Sequence, residues 1–358
     1  MINVTKTYLP DINKYKQYID QIYANGQITN NGYLVRKLEQ RLAEYLCVKN
    51  IVLVSNGTVA LEVAYKVLGI RDFAITTPFS FVATTSSLVA SGINPIFVDI
   101  DEKTFSIDAN KIVDQITPNT TAIVATHVFG NPCDVEAIDK IAKEYNLKVV
   151  YDAAHAFDVK YNGQSILNYG NISTLSFHAT KLFHTIEGGA LITDDDMLAE
   201  KARFLINFGI KNAEEIPHLG TNAKMNEFEA AMGLCVLDDI EIIHSARKAI
   251  AERYKLELQG LVQFQEFNDK ATENYSYFPV LFKSEEQLKR VQQALNSQDI
   301  FPRRYFYPSL DTLSYIEPKQ YMIVSRDISR RIMCLPIYVG LSYEIQKKII
   351  YIIKEFIK

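Results

Sequence analysis

Residues 51–99 read IVLVSNGTVALEVAYKVLGIRDFAITTPFSFVATTSSLVASGINPIFVD, and this stretch decides the fold class. Ile51–Val54, Phe73–Thr76 and Pro95–Asp99 are short, apolar and β-branched, the composition of buried strands. Val59–Leu68 and Thr84–Ser91 lie between them and carry helical patterns. Strand and helix in strict alternation predict an α/β fold, because parallel neighbours need a crossover and a helix is the usual one. The pattern runs on through strands at Ala122–Thr126 and Lys148–Tyr151, with a helix at Val135–Tyr145 between them. Strand-like runs at Thr174–Phe177 and Ala190–Thr193 are too close for an intervening helix, so an antiparallel pair is expected there.

From about Asp238 the pattern changes. Ile240–Leu258 reads as a long amphipathic helix, Tyr275–Phe282 as a strand and Ser284–Ser297 as a helix. Tyr343–Ile357 reads as a closing helix, with isoleucines on one face and lysines on the other. The expected division is a large domain over residues 1–238 and a smaller C-terminal α+β domain over residues 239–358.

Composition narrows the function classes. A chain of 358 residues has room for about two domains. Hydrophobic residues are 48% and charged residues 22%, which excludes a disordered chain. A net charge of −4 argues against a surface built for nucleic acid or for an anionic membrane. The apolar run Ile349–Ile353 is far too short to span a bilayer, and the opening MINVTKTYLPD has no apolar signal core. Cys47, Cys133, Cys235 and Cys334 are scattered, so free thiols in a cytoplasmic protein are expected. The histidines form no tight ligand pattern, and no metal is expected.

In an open parallel sheet, ligands bind beyond the carboxyl ends of the strands, so the residues just after each strand carry the reading. After Ile51–Val54 comes Ser55-Asn56-Gly57-Thr58, then an apolar helix. Gly57 permits a close backbone approach, and Thr58 with the next amides makes either an ordinary cap or a phosphate cradle. After Lys148–Tyr151 comes Asp152-Ala153-Ala154-His155. A carboxylate among apolar neighbours is costly unless something positive meets it: a protein charge, or a protonated ring nitrogen on a cofactor. After Thr174–Phe177 comes His178-Ala179-Thr180-Lys181, and Gly188-Gly189 follows. A desolvated lysine there has a lowered pKa and is suited to Schiff-base chemistry, with Ser176 and Thr180 adding hydroxyls. Pro78-Phe79-Ser80-Phe81 supplies aromatics for a planar ligand or for the core. Cradle, aromatic, acid and lysine, in chain order in one domain, together fit pyridoxal 5′-phosphate.

At these residues the sequence resembles the DegT/DnrJ/EryC1/StrS family, the fold-type I, pyridoxal-phosphate-dependent sugar-nucleotide aminotransferases. The resemblance runs nearly end to end. It covers Gly26–Gly32, Ser55–Leu61, Pro78–Thr85, Asp152–Phe157 and Ser176–Ala190, then Gly220–Glu227 and Leu335–Tyr338. It implies that Lys181 forms the Schiff base with the cofactor and that Asp152 pairs with the pyridine nitrogen. Gly57, Thr58 and Ser176 fall on phosphate-binding positions, Phe81 on an aromatic covering one ring face, and His155 on a position near the ring hydroxyl. Asn222 falls on an asparagine that reaches the cofactor phosphate of a neighbouring subunit, which implies a homodimer with composite active sites. Lys224 stands where the family usually has arginine. Ser176-Phe177-His178-Ala179-Thr180-Lys181 and Glu187-Gly188-Gly189-Ala190 are similar to members that aminate C4 of a keto sugar.

The implied reaction moves the amino group of L-glutamate to a nucleotide-linked 4-keto-6-deoxy sugar. The expected case is dTDP-4-keto-6-deoxyglucose going to dTDP-4-amino-4,6-dideoxyglucose, with His178, Tyr305 and Tyr307 as candidate substrate contacts. The alternatives are a C3 aminotransferase of the same family and a non-catalytic regulatory protein on the same fold. A sugar dehydrase branch carries histidine in place of the lysine, and Lys181 argues against it.

Overall fold

A computed structural model describes residues 1–357. Seven strands form its main sheet: β1 (Asn50–Val54), β2 (Phe73–Thr76), β3 (Asn94–Phe97), β4 (Thr120–Thr126), β5 (Lys148–Asp152), β6 (Ile172–Ser176) and β7 (Gly189–Thr193). Their order across the sheet is β1-β7-β6-β5-β4-β2-β3. The β3-β2-β4-β5-β6 neighbours are all parallel. Only β7 runs the other way, antiparallel to β6 and to β1, as its close spacing behind β6 requires. The carboxyl ends of the parallel strands therefore share one edge of the sheet. β7 starts on that edge, with Gly189 opposite both Val54 and Ser176.

Alternation along the strands builds two cores. Ile51, Leu53, Ile123, Ala125, Val149 and Tyr151 point to one face, where they meet helices Tyr33–Leu46, Val135–Glu144 and Glu227–Asp238. Val52, Val54, Ala122, Val124 and Val150 point to the other, against helices Gly57–Leu68 and Asp196–Leu205. Both faces are covered, so buried apolar residues follow one another along the strands instead of alternating with exposed polar ones. Each buried aliphatic side chain contributes about 1.5–3 kcal/mol, which fixes the register that brings the strand ends level.

A third core gathers residues from 250 to 357 around the antiparallel strands Pro279–Leu281 and Ile332–Cys334. Helix Ile240–Leu258 belongs to two cores, through Ile240 and Ile243 at one end and Ile250, Tyr254 and Leu258 at the other. The expected division after residue 238 falls just before this shared helix, and Ile2–Asn3 crosses it by pairing with Ile300–Phe301. The strand expected over Tyr275–Phe282 is only Pro279–Leu281. Tyr275 sits at φ 56, and the Asn274 side chain accepts from the Ser276 amide, so this approach is a turn. Among the described residues no helix is long and apolar enough to cross a membrane.

Candidate active site

Three strand ends supply the chemistry. β1 leads into helix Gly57–Leu68, whose N-cap Asn56 accepts the Val59 amide at 2.9 Å. The Gly57 and Thr58 amides at this helix start have no acceptor among the described residues. They are free donors at the positive end of the helix dipole, the arrangement that binds phosphate. A Cβ on Gly57 would lie 2.8 Å from the Ser176 Cβ, so only glycine lets the helix start approach the end of β6. That approach brings the Ser176 hydroxyl beside the free amides.

Asp152 ends β5 and is buried. Its Oδ2 accepts from the Thr84 hydroxyl at 2.6 Å and its Oδ1 from the Ala154 amide at 3.1 Å. Burial pushes its pKa up, while those two donors and the nearby Lys181 pull it down. The carboxylate is desolvated and lacks a direct salt-bridge partner among the described residues, the situation that a bound cation relieves.

Lys181 lies in the turn between β6 and β7, held by Lys181 N–H to His178 C=O at 2.8 Å and by Phe177 N–H to Gly188 C=O at 2.8 Å. Its Nζ stands 5.7 Å from the centre of the Tyr277 ring. Burial pushes the ammonium down to about 8, against the opposing pull of Asp152. The amine is thus far more available as a nucleophile or base than a surface lysine.

His155 is buried with its ring stacked on Phe306 at 5.7 Å, and its Nδ1 accepts the Phe129 amide at 3.2 Å. Burial, with Lys181 adding to it, holds the ring pKa well below its ordinary value, so the ring is neutral. With Nδ1 accepting, the proton resides on Nε2. His178 stands on the rim, with Nδ1 2.8 Å from the Thr180 hydroxyl and Nε2 3.5 Å from Glu187 Oε1.

One cleft of about 260 Å³ joins these groups. Gly57, Thr58, Phe81, Asp152, His155 and Ser176 line it, as do His178, Lys181 and Tyr305. Two expected residues lie elsewhere. Tyr307 does not line the cleft; it is half exposed, with the Arg304 guanidinium 3.8 Å from its ring centre. Asn222 also lies outside it, accepting on Oδ1 from Lys224 Nζ at 2.7 Å, while Lys224 covers the Phe208 ring. Sequence reading did not single out Thr84, Thr126, Tyr277 or Arg303, which the fold brings to the cleft or to Asp152. Thr84 sits within the family-like Pro78–Thr85 motif, but nothing in one sequence distinguishes its hydroxyl from that of Thr85.

Residues 11–354 match the sequence pattern of the DegT/DnrJ/EryC1/StrS aminotransferase family. The chain belongs to that family. It is 42% identical to a dTDP-4-amino-4,6-dideoxy-D-glucose transaminase of Shigella dysenteriae, over 99% of this chain and 98% of the relative. It is 38% identical to a transaminase of the same description from Escherichia coli, over 97% and 96%. Its fold superposes on the crystal structure of DesI with its TDP-sugar product at a TM-score of 0.95, with 28% identity over 99% of this chain and 93% of that one. The family membership makes this protein an aminotransferase. Both transaminases are named for a 4-amino sugar, which does not favour the C3 alternative.

Proposed function

We propose that this aminotransferase uses pyridoxal 5′-phosphate to move the amino group of L-glutamate to C4 of dTDP-4-keto-6-deoxyglucose, giving dTDP-4-amino-4,6-dideoxyglucose. The observation that carries the cofactor reading is the meeting, in one cleft, of a lysine pushed down to about 8, a buried unpaired carboxylate and a helix start with free amides. The names of the two transaminase relatives support the substrate.

The donor set fits the cofactor. Gly57, Thr58 and Ser176 would hold its phosphate, Asp152 its pyridine nitrogen, and Phe81 one face of its ring. His155 would donate from Nε2 to the ring hydroxyl oxygen. When bound, the group supplies an electron sink for negative charge developing on the substrate carbon. Asp152 would keep the pyridine nitrogen protonated, which would let that charge spread into the ring. Lys181, once free as a neutral amine, would take the proton from the donor's α-carbon and deliver it from the same face to the cofactor's C4′, as general base and then general acid. The same lysine then serves the keto sugar in the reverse sense, so two substrates share one site in turn. His178, Tyr305 and Arg303 form the wall that the sugar nucleotide would meet.

The protein acts as a homodimer with composite sites. Asn222 has its Oδ1 held by Lys224, and its side-chain Nδ2 has no acceptor among the described residues. Exposed Ile28, Phe208 and Leu219 lie beside the same segment, apolar surface that suits a second copy. Four free thiols suit a reducing cytoplasm.

The test is turnover with glutamate and dTDP-, UDP- or GDP-linked 4-keto-6-deoxy sugars, following 2-oxoglutarate and the position of the new amine by proton couplings. The dTDP sugar should give the 4-amino product. Amination only of a 3-keto isomer would refute the C4 assignment.

A further inference from the structure

We propose that Thr126, Ser80 and Thr84 form a one-way chain of hydroxyl donors that holds the Asp152 carboxylate ionised and oriented toward the cofactor's pyridine nitrogen. This rests on the reading of Asp152 given under the proposed function.

The chain has three links. Thr126 Oγ1 donates to Ser80 Oγ at 3.1 Å, Ser80 Oγ lies 2.6 Å from Thr84 Oγ1, and Thr84 Oγ1 donates to Asp152 Oδ2 at 2.6 Å. All four side chains are buried. They come from separate places in the fold. Thr126 ends β4 and is in register with Asp152 at the end of β5, while Ser80 and Thr84 flank the start of helix Val82–Ala90.

Direction follows from proton counting. An ionised carboxylate only accepts, so Thr84 must donate to it. The Thr84 oxygen then takes the Ser80 proton, and the Ser80 oxygen takes the Thr126 proton. Every proton in the chain has an acceptor. If Asp152 were protonated on Oδ2 and donated to Thr84, the chain would reverse, and the Thr126 proton would be left buried without an acceptor among the described residues. A buried donor without a partner is costly, so the chain stabilises the anion. The Ala154 amide holds the other oxygen. Of the titratable groups near this carboxylate, Lys181 favours the anion, the neutral His155 adds no charge, and the Tyr65 hydroxyl pairs with Ser87 instead.

Thr84, Ser80 and Thr126 are therefore positioning residues, acting through Asp152. Thr85 supplies the control: it lies on the same helix, is buried, and its hydroxyl has no hydrogen-bond partner among the described residues. Apoprotein is titrated with pyridoxal 5′-phosphate by absorption, and the visible band of the bound cofactor is then followed against pH. Thr84→Val should weaken cofactor binding about tenfold or more, as loss of a hydrogen bond to a charged group predicts. It should also move the titration of the visible band to higher pH, because a less positive ring withdraws less charge from the nitrogen that joins Lys181 to the cofactor, and that nitrogen then keeps its proton to higher pH. Thr84→Ser should restore both values, and Thr85→Val should match wild type. Asp152→Asn should show the same two changes, larger. Wild-type affinity and titration in Thr84→Val, beside a strong Asp152→Asn effect, would overturn the chain and leave the Asp152 reading standing. No effect of Asp152→Asn would overturn that reading itself. If Thr84→Val does not fold, Thr126→Val at the far end carries the test, and behaviour equal to Thr85→Val overturns the inference.

Discussion

Lys181 and Asp152 act on each other before any ligand arrives. Burial lowers the lysine to about 8, and Asp152 resists that lowering. In the apoprotein, trapping of Lys181 by a small aldehyde and borohydride should rise with pH through a midpoint near 8, whereas exposed lysines react only at higher pH. Asp152→Asn removes the charge that holds the ammonium up, so its midpoint should fall further, read by mass spectrometry of the Lys181 peptide. An unchanged midpoint would show that the two groups are not coupled. In the loaded enzyme the same substitution should slow turnover on the order of a hundredfold, the scale of losing one preorganised electrostatic group. At this scale much of the site was legible, because cradle, acid and lysine each follow a strand in the sequence. What was not legible depends on tertiary approach. Arg303 and Tyr277 reach the cleft from the C-terminal third of the chain, and Asn222 and Tyr307 lie outside it for reasons no local pattern carries.

At the scale of elements, two joints hold the site in place. Gly57→Ala would push the helix start away from Ser176, costing about 1–3 kcal/mol of overpacking and weakening cofactor binding. Cofactor titration of the variant checks this. The second joint is Glu227, buried at the start of helix Glu227–Asp238, where its carboxylate accepts the Leu34 and Val35 amides at 2.8 and 2.9 Å. It thereby caps helix Tyr33–Leu46 from another part of the chain. Glu227→Ala should cost about 1–3 kcal/mol, seen as a lower midpoint of thermal unfolding, because two buried donors lose their acceptor. A Cβ on Gly32 would collide with the same carboxylate, so Gly32→Ala should destabilise the same joint. The β-branched strands of the first half were legible because both of their faces are buried. Helix Glu227–Asp238 was not, since it is buried nearly all round and shows no amphipathic period. Helix Ile12–Asn25 escaped for the opposite reason: Ile22 is its only buried residue.

Across the whole molecule, the sheet edge, the turn bearing Lys181 and the C-terminal residues Tyr277, Arg303, Tyr305 and Phe306 close on one cleft, while Asn222 lies outside its lining. The composite-site proposal predicts complementation. Lys181→Ala and Asn222→Ala, each inactive alone, should regain activity when their subunits exchange, approaching half of wild type per heterodimer. No recovery after proven exchange would remove Asn222 from the partner's site. One lysine, Lys181, holds the cofactor that carries the amino group between two substrates, and borohydride reduction with peptide mapping tests this most directly. The loaded enzyme should yield reduced cofactor attached to Lys181. Prior glutamate should abolish that adduct, because the cofactor then carries the amine and leaves the lysine free, and subsequent 4-keto sugar nucleotide should restore it. An adduct on another lysine, or one on Lys181 that glutamate leaves intact, would contradict the account.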